Sequence, residues 1–229
     1  MFSVRDVDTN QQGIHEDLDL LVEKYRARHW QKPIATHTQQ AAESVFEWLG
    51  NDECDIILDA CCGVGESTIN IAKAYPNAKV IGVDKSSARL DKHQHYQRQY
   101  SYEVSNALVV QADLLDFWRL LVSKVEEMHQ WHVLKQYLLY PNPYPKKTQV
   151  TKRWHASPVF PFVMALSTNI EVRSNWKTYL EEFRRAAKHY NVEMQIECLN
   201  GTPITPFERK YMKSGQTCFV AKSTAAMAD

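Results

Sequence analysis

The residues with most chemistry to offer lie in Tyr140-Pro141-Asn142-Pro143-Tyr144-Pro145-Lys146-Lys147. Prolines fix φ and push the residue before them out of the helical region, so this loop presents Asn142 and Tyr144 at little entropic cost. The Asn142 amide can both donate and accept hydrogen bonds, and the Tyr144 ring can stack on a base. From Met128 to Ile170 the chain has no Asp or Glu, yet it carries Lys135, Lys146, Lys147, Lys152, Arg153, His129, His132 and His155. An acid-free basic stretch around such a loop attracts phosphates. The plainer alternative is a strand-ending turn with a solvated charged face.

A second group sits near the N-terminal third. Asp59-Ala60-Cys61-Cys62-Gly63-Val64-Gly65 joins an apolar run to a helical pattern, and Asp84 and Asp113 close the next two apolar runs, with Lys85 and Leu114 directly after them. Gly63 and Gly65 allow positive φ and close backbone approach. Asp84 stands where a ribose diol would be accepted, and Asp113 where it would meet an adenine amine. A dinucleotide turn wants a third glycine near Thr68, which is absent. Asp59 repels phosphate but suits a cationic nucleoside such as S-adenosylmethionine. The structural alternative for Asp84 and Asp113 is helix N-capping. Cys62 is expected as a small core thiol, His93 and His95 as solvated, and Trp154 as the tryptophan best placed near substrate.

These groups need a scaffold. Strands are expected at residues 54–60, 79–83, 107–111, 133–140, 169–173, 192–199 and 217–221. Helices are expected at residues 16–30, 36–49, 68–75, 86–100, 114–129, 158–166 and 176–190, with Thr202 to Arg209 in a loop. Alternating β and α implies an α/β, Rossmann-like sheet of seven strands. It should be mostly parallel, with helices on both faces and the last strand antiparallel. Residues 1–15 are polar and aperiodic and read as a flexible N-terminus; 16–229 read as one domain with an N-terminal helical extension.

Composition narrows the class. The 229 residues are 44% hydrophobic and 24% charged, which is globular and not disordered. No apolar run reaches the ~18 residues of a membrane span, and no secretory signal pattern opens the chain. Five cysteines without metal-type spacing suggest reduced thiols in a cytoplasm and no metal site.

The glycine turn, Asp84, Asp113, the proline loop and Thr205-Pro206-Phe207-Glu208-Arg209 occur in the order of one family. The chain resembles bacterial tRNA (guanine-N7)-methyltransferases, a branch of the class I S-adenosylmethionine-dependent enzymes, over roughly Asp55 to Val220. The resemblance implies S-adenosyl-L-methionine as cofactor, held by Asp59, Cys61, Gly63, Gly65, Asp84, Lys85, Asp113 and Leu114. It implies tRNA as partner and no membrane. Asn142 takes the place of the loop aspartate that holds the guanine, with Tyr144 and Glu208 beside it in catalysis. Lys146, Lys147, Lys152, Arg153, Asn175, Thr205 and Arg209 would bind the substrate. Cys61 replaces the first glycine of the turn, Asn142 and Asn175 stand where the family has aspartates, and a Lys-Pro-Gly-Gly turn before the fifth strand is missing. Three functions stay open. They are N7-methylation of a tRNA guanine, methylation of another base or amine with Asn142 orienting the acceptor, and a weakened cofactor- or RNA-binding relative.

Overall fold

The computed structural model describes residues 7–28, 30–93 and 104–224. Seven strands form one mixed sheet: β1 (Cys54–Ala60), β2 (Lys79–Asp84), β3 (Ala107–Gln111), β4 (Trp131–Leu139), β5 (Ile170–Ser174), β6 (Met194–Cys198) and β7 (Phe219–Ser223), in the order β3-β2-β1-β4-β5-β7-β6. β1, β2, β3 and β4 pair in parallel, whereas β7 runs antiparallel to both β5 and β6. This is the Rossmann-like architecture expected from the alternation of elements. By internal contacts the chain divides into two compact units, residues 32–139 and residues 1–31 with 140–229.

The first helix, α1 (Leu18–Arg26), belongs to the unit built from both chain ends. In the unit of residues 32–139, β1 is apolar almost throughout, as a strand covered on both faces must be; Ile56, Ile57, Leu58 and Ala60 are fully buried. Among its described residues, the helices of this unit are α2 (Thr36–Leu49), α3 (Glu66–Ala74), the short α4 (Ser87–Leu90) and α5 (Leu114–Glu127). Asp113 caps α5, its Oδ1 accepting from Leu115 N at 2.9 Å. The polar helix expected over residues 86–100 is helical at Ser87–Leu90, and residues 94–103, with His95, lie outside the described residues.

In the other unit, α1 packs on α6 (Phe160–Leu166) and α7 (Lys177–Lys188). Val159, Phe160, Val163, Tyr179, Leu180 and Phe183 form its core. The expected loop at residues 202–209 instead runs into α8 (Pro206–Lys213). Thr205 Oγ1 accepts from Glu208 N at 3.0 Å and Pro206 opens the helix, a pairing that favours helix initiation. No helix among the described residues is long and apolar enough to cross a membrane.

Gly82 lets α3 lie close on β2. A Cβ there would come within 2.4 Å of Thr68 Oγ1 and 3.1 Å of Val109 Cγ2. Thr68 is short and tied to Asp59, so it has little room to yield. Gly82→Ala is expected to destabilise the fold by about 1–3 kcal/mol, read as a lowered urea midpoint at unchanged slope.

Candidate functional site

In the 32–139 unit, β1 delivers Asp59 to a tight turn. Cys61, Gly63 and Gly65 all have positive φ, 63°, 62° and 75°. Cys61 is the strained member, because a side chain disfavours this region by on the order of 1–3 kcal/mol. The turn is held to β2 from both sides: Cys62 N donates to Val83 O at 3.1 Å, and Gly63 N to Asp84 Oδ2 at 3.1 Å. Asp84 also accepts from Ser86 N and from Arg89, at 2.8 and 3.0 Å. Asp59 is fully buried. Its Oδ2 accepts from Ser67 and Thr68 hydroxyls at 2.6 and 2.7 Å, while its Oδ1 has no hydrogen-bond partner. Burial pushes its carboxyl up to about 6, against the pull of those two hydroxyls and with a further push from Asp84.

One expectation changes here. His93 is not solvated: its ring is half-buried over the glycine turn, Nδ1 lying 3.2 Å from Val64 O, in space that a Cβ on Gly65 would fill. Cys62 is buried, and burial followed by the charges of Asp59 and Asp84 drives its thiol well up, so it is a core thiol without nucleophilic character. Asp113 uses one oxygen on the α5 cap, Lys85 is exposed, and Leu114 is buried.

The proline loop belongs to the other unit. Tyr140 and Tyr144 both hold positive φ, 51° and 44°. Asn142 is exposed, and its Oδ1 accepts from Tyr144 N at 3.3 Å, closing a local turn. Beneath the loop lies Arg153, expected at tRNA phosphate but in fact 0% exposed. Its guanidinium stacks over the Trp176 ring at 4.9 Å. It donates twice to Tyr144 O (3.2 and 2.9 Å), to Gln11 Oε1 (3.0 Å) and to Glu182 Oε2 (2.6 Å). With its donors engaged inward, Arg153 clamps the left-handed Tyr144 from inside and has no face for an external phosphate.

Residues 9–16, expected as flexible tail and helix start, strap the same loop. Thr9 Oγ1 donates to Pro145 O at 2.6 Å, Lys147 N to Asn10 Oδ1 at 2.9 Å, and Lys147 Nζ meets Glu16 at 2.8 Å. Gln11 Nε2 and His15 N both donate to Glu182 Oε1, at 2.7 and 2.8 Å. His155, fully buried, completes the cluster with Nε2 3.0 Å from Glu182 Oε2. Burial alone would raise the Glu182 carboxyl; the His155 hydrogen bond and the charges of His155 and Arg153 overcome it and bring the group down to about 2.

Of the remaining expected residues, Lys146 and Lys152 are exposed, and Lys152 Nζ sits 5.7 Å over the Tyr144 ring. Asn175 donates its amide to Gln216 at 3.1 Å. Glu208 is buried, with both oxygens on Arg173 (3.0 and 3.1 Å) and one also accepting from Ile204 N. Glu208 therefore ties β5 to the start of α8 and does not face solvent. Arg209 is half-buried. Sequence reasoning did not single out Gln11, Glu182, Arg173 or Arg89, and it placed His93 in solvent. Glu182 had a signal: it falls on the apolar face of α7, three residues after Tyr179 and four before Ala186.

The Methyltransf_4 methyltransferase family, that of the tRNA guanine-N7 enzymes, matches residues 53–221, and the chain belongs to it. A sequence search of curated proteins finds no match. Solved structures share the fold at low identity. An antibiotic-related methyltransferase aligns at TM-score 0.57 and 14% identity, covering 84% of this chain and 99% of that one. The 16S rRNA methyltransferase KamB aligns at 0.55 and 13%, covering 85% and 97%. The aminoglycoside-resistance methyltransferase NpmB1 aligns at 0.52 and 16%, covering 87% and 97%. Family and fold imply S-adenosylmethionine as methyl donor. The glycine turn fits such a cation: its bare, buried Asp59 oxygen and the Asp84 carboxylate are acidic, and a Cβ on Gly63 would meet nothing within 4 Å.

Glu182→Ala would strand a buried guanidinium and is expected to cost about 3–5 kcal/mol in chemical denaturation, whereas Gln11→Ala should cost about 1 kcal/mol. A pH series isolates Asp59. Its folded pKa lies above the unfolded value, so the unfolded chain ionises first and stability is lost as pH rises between the two values. Relative to Asp59→Asn, the wild type should lose about 1 kcal/mol between pH 5 and pH 7, measured by paired urea titrations.

Proposed function

We propose that the protein transfers the methyl group of S-adenosylmethionine to N7 of a guanine in tRNA. The observation that carries this reading is membership of the tRNA guanine-N7 family across most of the chain, with the proline loop intact in form. Asp59, Gly63, Gly65 and Asp84 would hold the cofactor, which supplies an electrophilic methyl on a sulfonium. Asp113 has a second oxygen for the adenine amine. Guanine N7 has a free lone pair, so no residue has to remove a proton before it attacks. The chain's task is positioning and electrostatics. Asn142 offers an acceptor and a donor side by side, which match guanine N1–H and O6. Tyr144 stacks on the base, held by the Arg153 clamp. Lys146 and Lys152 take phosphates, and Lys147 joins them where it leaves Glu16. Thr205, Glu208 and Arg209 shape the wall that α8 contributes, and Asn175 acts through Gln216.

One observation favours a second acceptor. With Asn142 Oδ1 turned onto Tyr144 N, the outward group is the amide donor. An outward amide donor serves an acceptor on either purine, adenine N1 or guanine O6, whereas a carboxylate accepts only.

The test incubates the protein with labelled S-adenosylmethionine and bulk tRNA lacking N7-methylguanosine, then identifies the product nucleoside. N7-methylguanosine is expected. Another methylated nucleoside would select the second acceptor, and cofactor binding without transfer would leave a binding protein. Asn142→Asp gains two charge-assisted bonds to the guanine edge and should raise kcat/KM on guanine about five-fold, equivalent to about 1 kcal/mol. A fall in guanine transfer would refute the role assigned to Asn142.

A further inference from the structure

α8 has a face that neither the fold nor the methyl-transfer reading uses. Phe207 is 46% exposed, and Leu20 and Leu134 are the other large hydrophobic side chains exposed among the described residues. Phe207 lies one helical turn before Tyr211, on the same side of α8. Their rings stack at 25° with centroids 6.4 Å apart, and Tyr211 in turn leans on Tyr140 at 5.6 Å, at the head of the proline loop. The outer ring of this row presents its apolar surface to solvent, which water disfavours.

The surroundings of the row are basic. Lys210 and Lys213 are exposed on the same helix, and from Arg209 to Thr224 there is no Asp or Glu. The acid nearest in sequence, Glu208, is buried and shares Arg173 with buried Glu171. Exposed aromatic rings alternating with lysines are how proteins hold unpaired nucleotides: the ring stacks on the base and the ammonium groups meet the backbone. A protein partner would bury the ring just as well, but neither Leu20 nor Leu134 lies on α8 to extend the patch, while the exposed ammonium groups of Lys210 and Lys213 suit a polyanion.

We propose that Phe207, backed by Tyr211 and flanked by Lys210 and Lys213, is a stacking platform for an unpaired RNA base. This rests on the RNA-methyltransferase reading and gives it a second point of attachment, outside the groups assigned to the methyl acceptor. The platform binds by stacking and charge alone, so it should tolerate any base.

The test uses the full chain and bulk tRNA. Phe207→Ala should weaken tRNA binding about 5- to 100-fold, and Phe207→Tyr should restore it, while S-adenosylmethionine affinity stays unchanged. In Phe207→Trp the introduced indole should be quenched by tRNA. Lys210→Ala with Lys213→Ala should make the slope of log Kd against log salt shallower by about 0.7 for each phosphate that the two lysines neutralise. Wild-type tRNA affinity in Phe207→Ala would overturn the platform and leave the RNA reading standing. Failure of the wild type to bind any RNA would overturn both. A wild-type dimer that Phe207→Ala dissociates in sedimentation, at unchanged RNA affinity, would assign the ring to a second copy and overturn the platform.

Discussion

A guanidinium buried under a strained loop organises the C-terminal half of this protein. Arg153 needs compensation for the water it gives up, and Glu182 supplies the charge. Other donors of Arg153 go to the carbonyl of Tyr144, a residue held in a left-handed conformation that few side chains adopt. The stability of the ion pair thus holds the strain of the loop. The segment before α1 takes part because Glu182 has two oxygens, and the one that Arg153 leaves is satisfied by Gln11 and His15.

The glycine-turn unit solves the opposite electrostatic problem. It buries carboxylates with few cations to balance them: Arg89 reaches Asp84, but Asp59 keeps one oxygen bare. A buried, half-satisfied carboxylate is unfavourable, and the penalty is reduced by whatever brings positive charge to it. In that physical sense this turn suits a sulfonium nucleoside and not a pyrophosphate. Methyl transfer to a ring nitrogen with a free lone pair needs little further chemistry from the protein. Under the proposed reading, Asn142 and Asn175 would therefore hold the acceptor by shape and neutral hydrogen bonds, without a carboxylate.

Much of this was readable from residue order. The apolar centre of β1, the small-residue turn and the acids closing β2 and β3 follow from short-range patterning, and they led to the sheet and its antiparallel end. The proline loop was readable because proline constrains its own backbone. The capping pattern Thr205-x-x-Glu208 was equally present, and with Pro206 it marks a helix start; reading it as a loop overlooked a local signal.

What sequence alone determined is therefore the set of local devices: strands, turn, braced loop, and the family to which their order belongs. Tertiary structure decided which charged groups face solvent. Arg153 sits in a basic run and looks like a phosphate ligand, yet it is interior because Glu182, 29 residues on, and Gln11, 142 residues back, converge on it. His93 looks solvated but covers a glycine whose missing Cβ makes room for it. Long-range pairing sets the burial of a charge, and no local pattern encodes which distant partner will arrive.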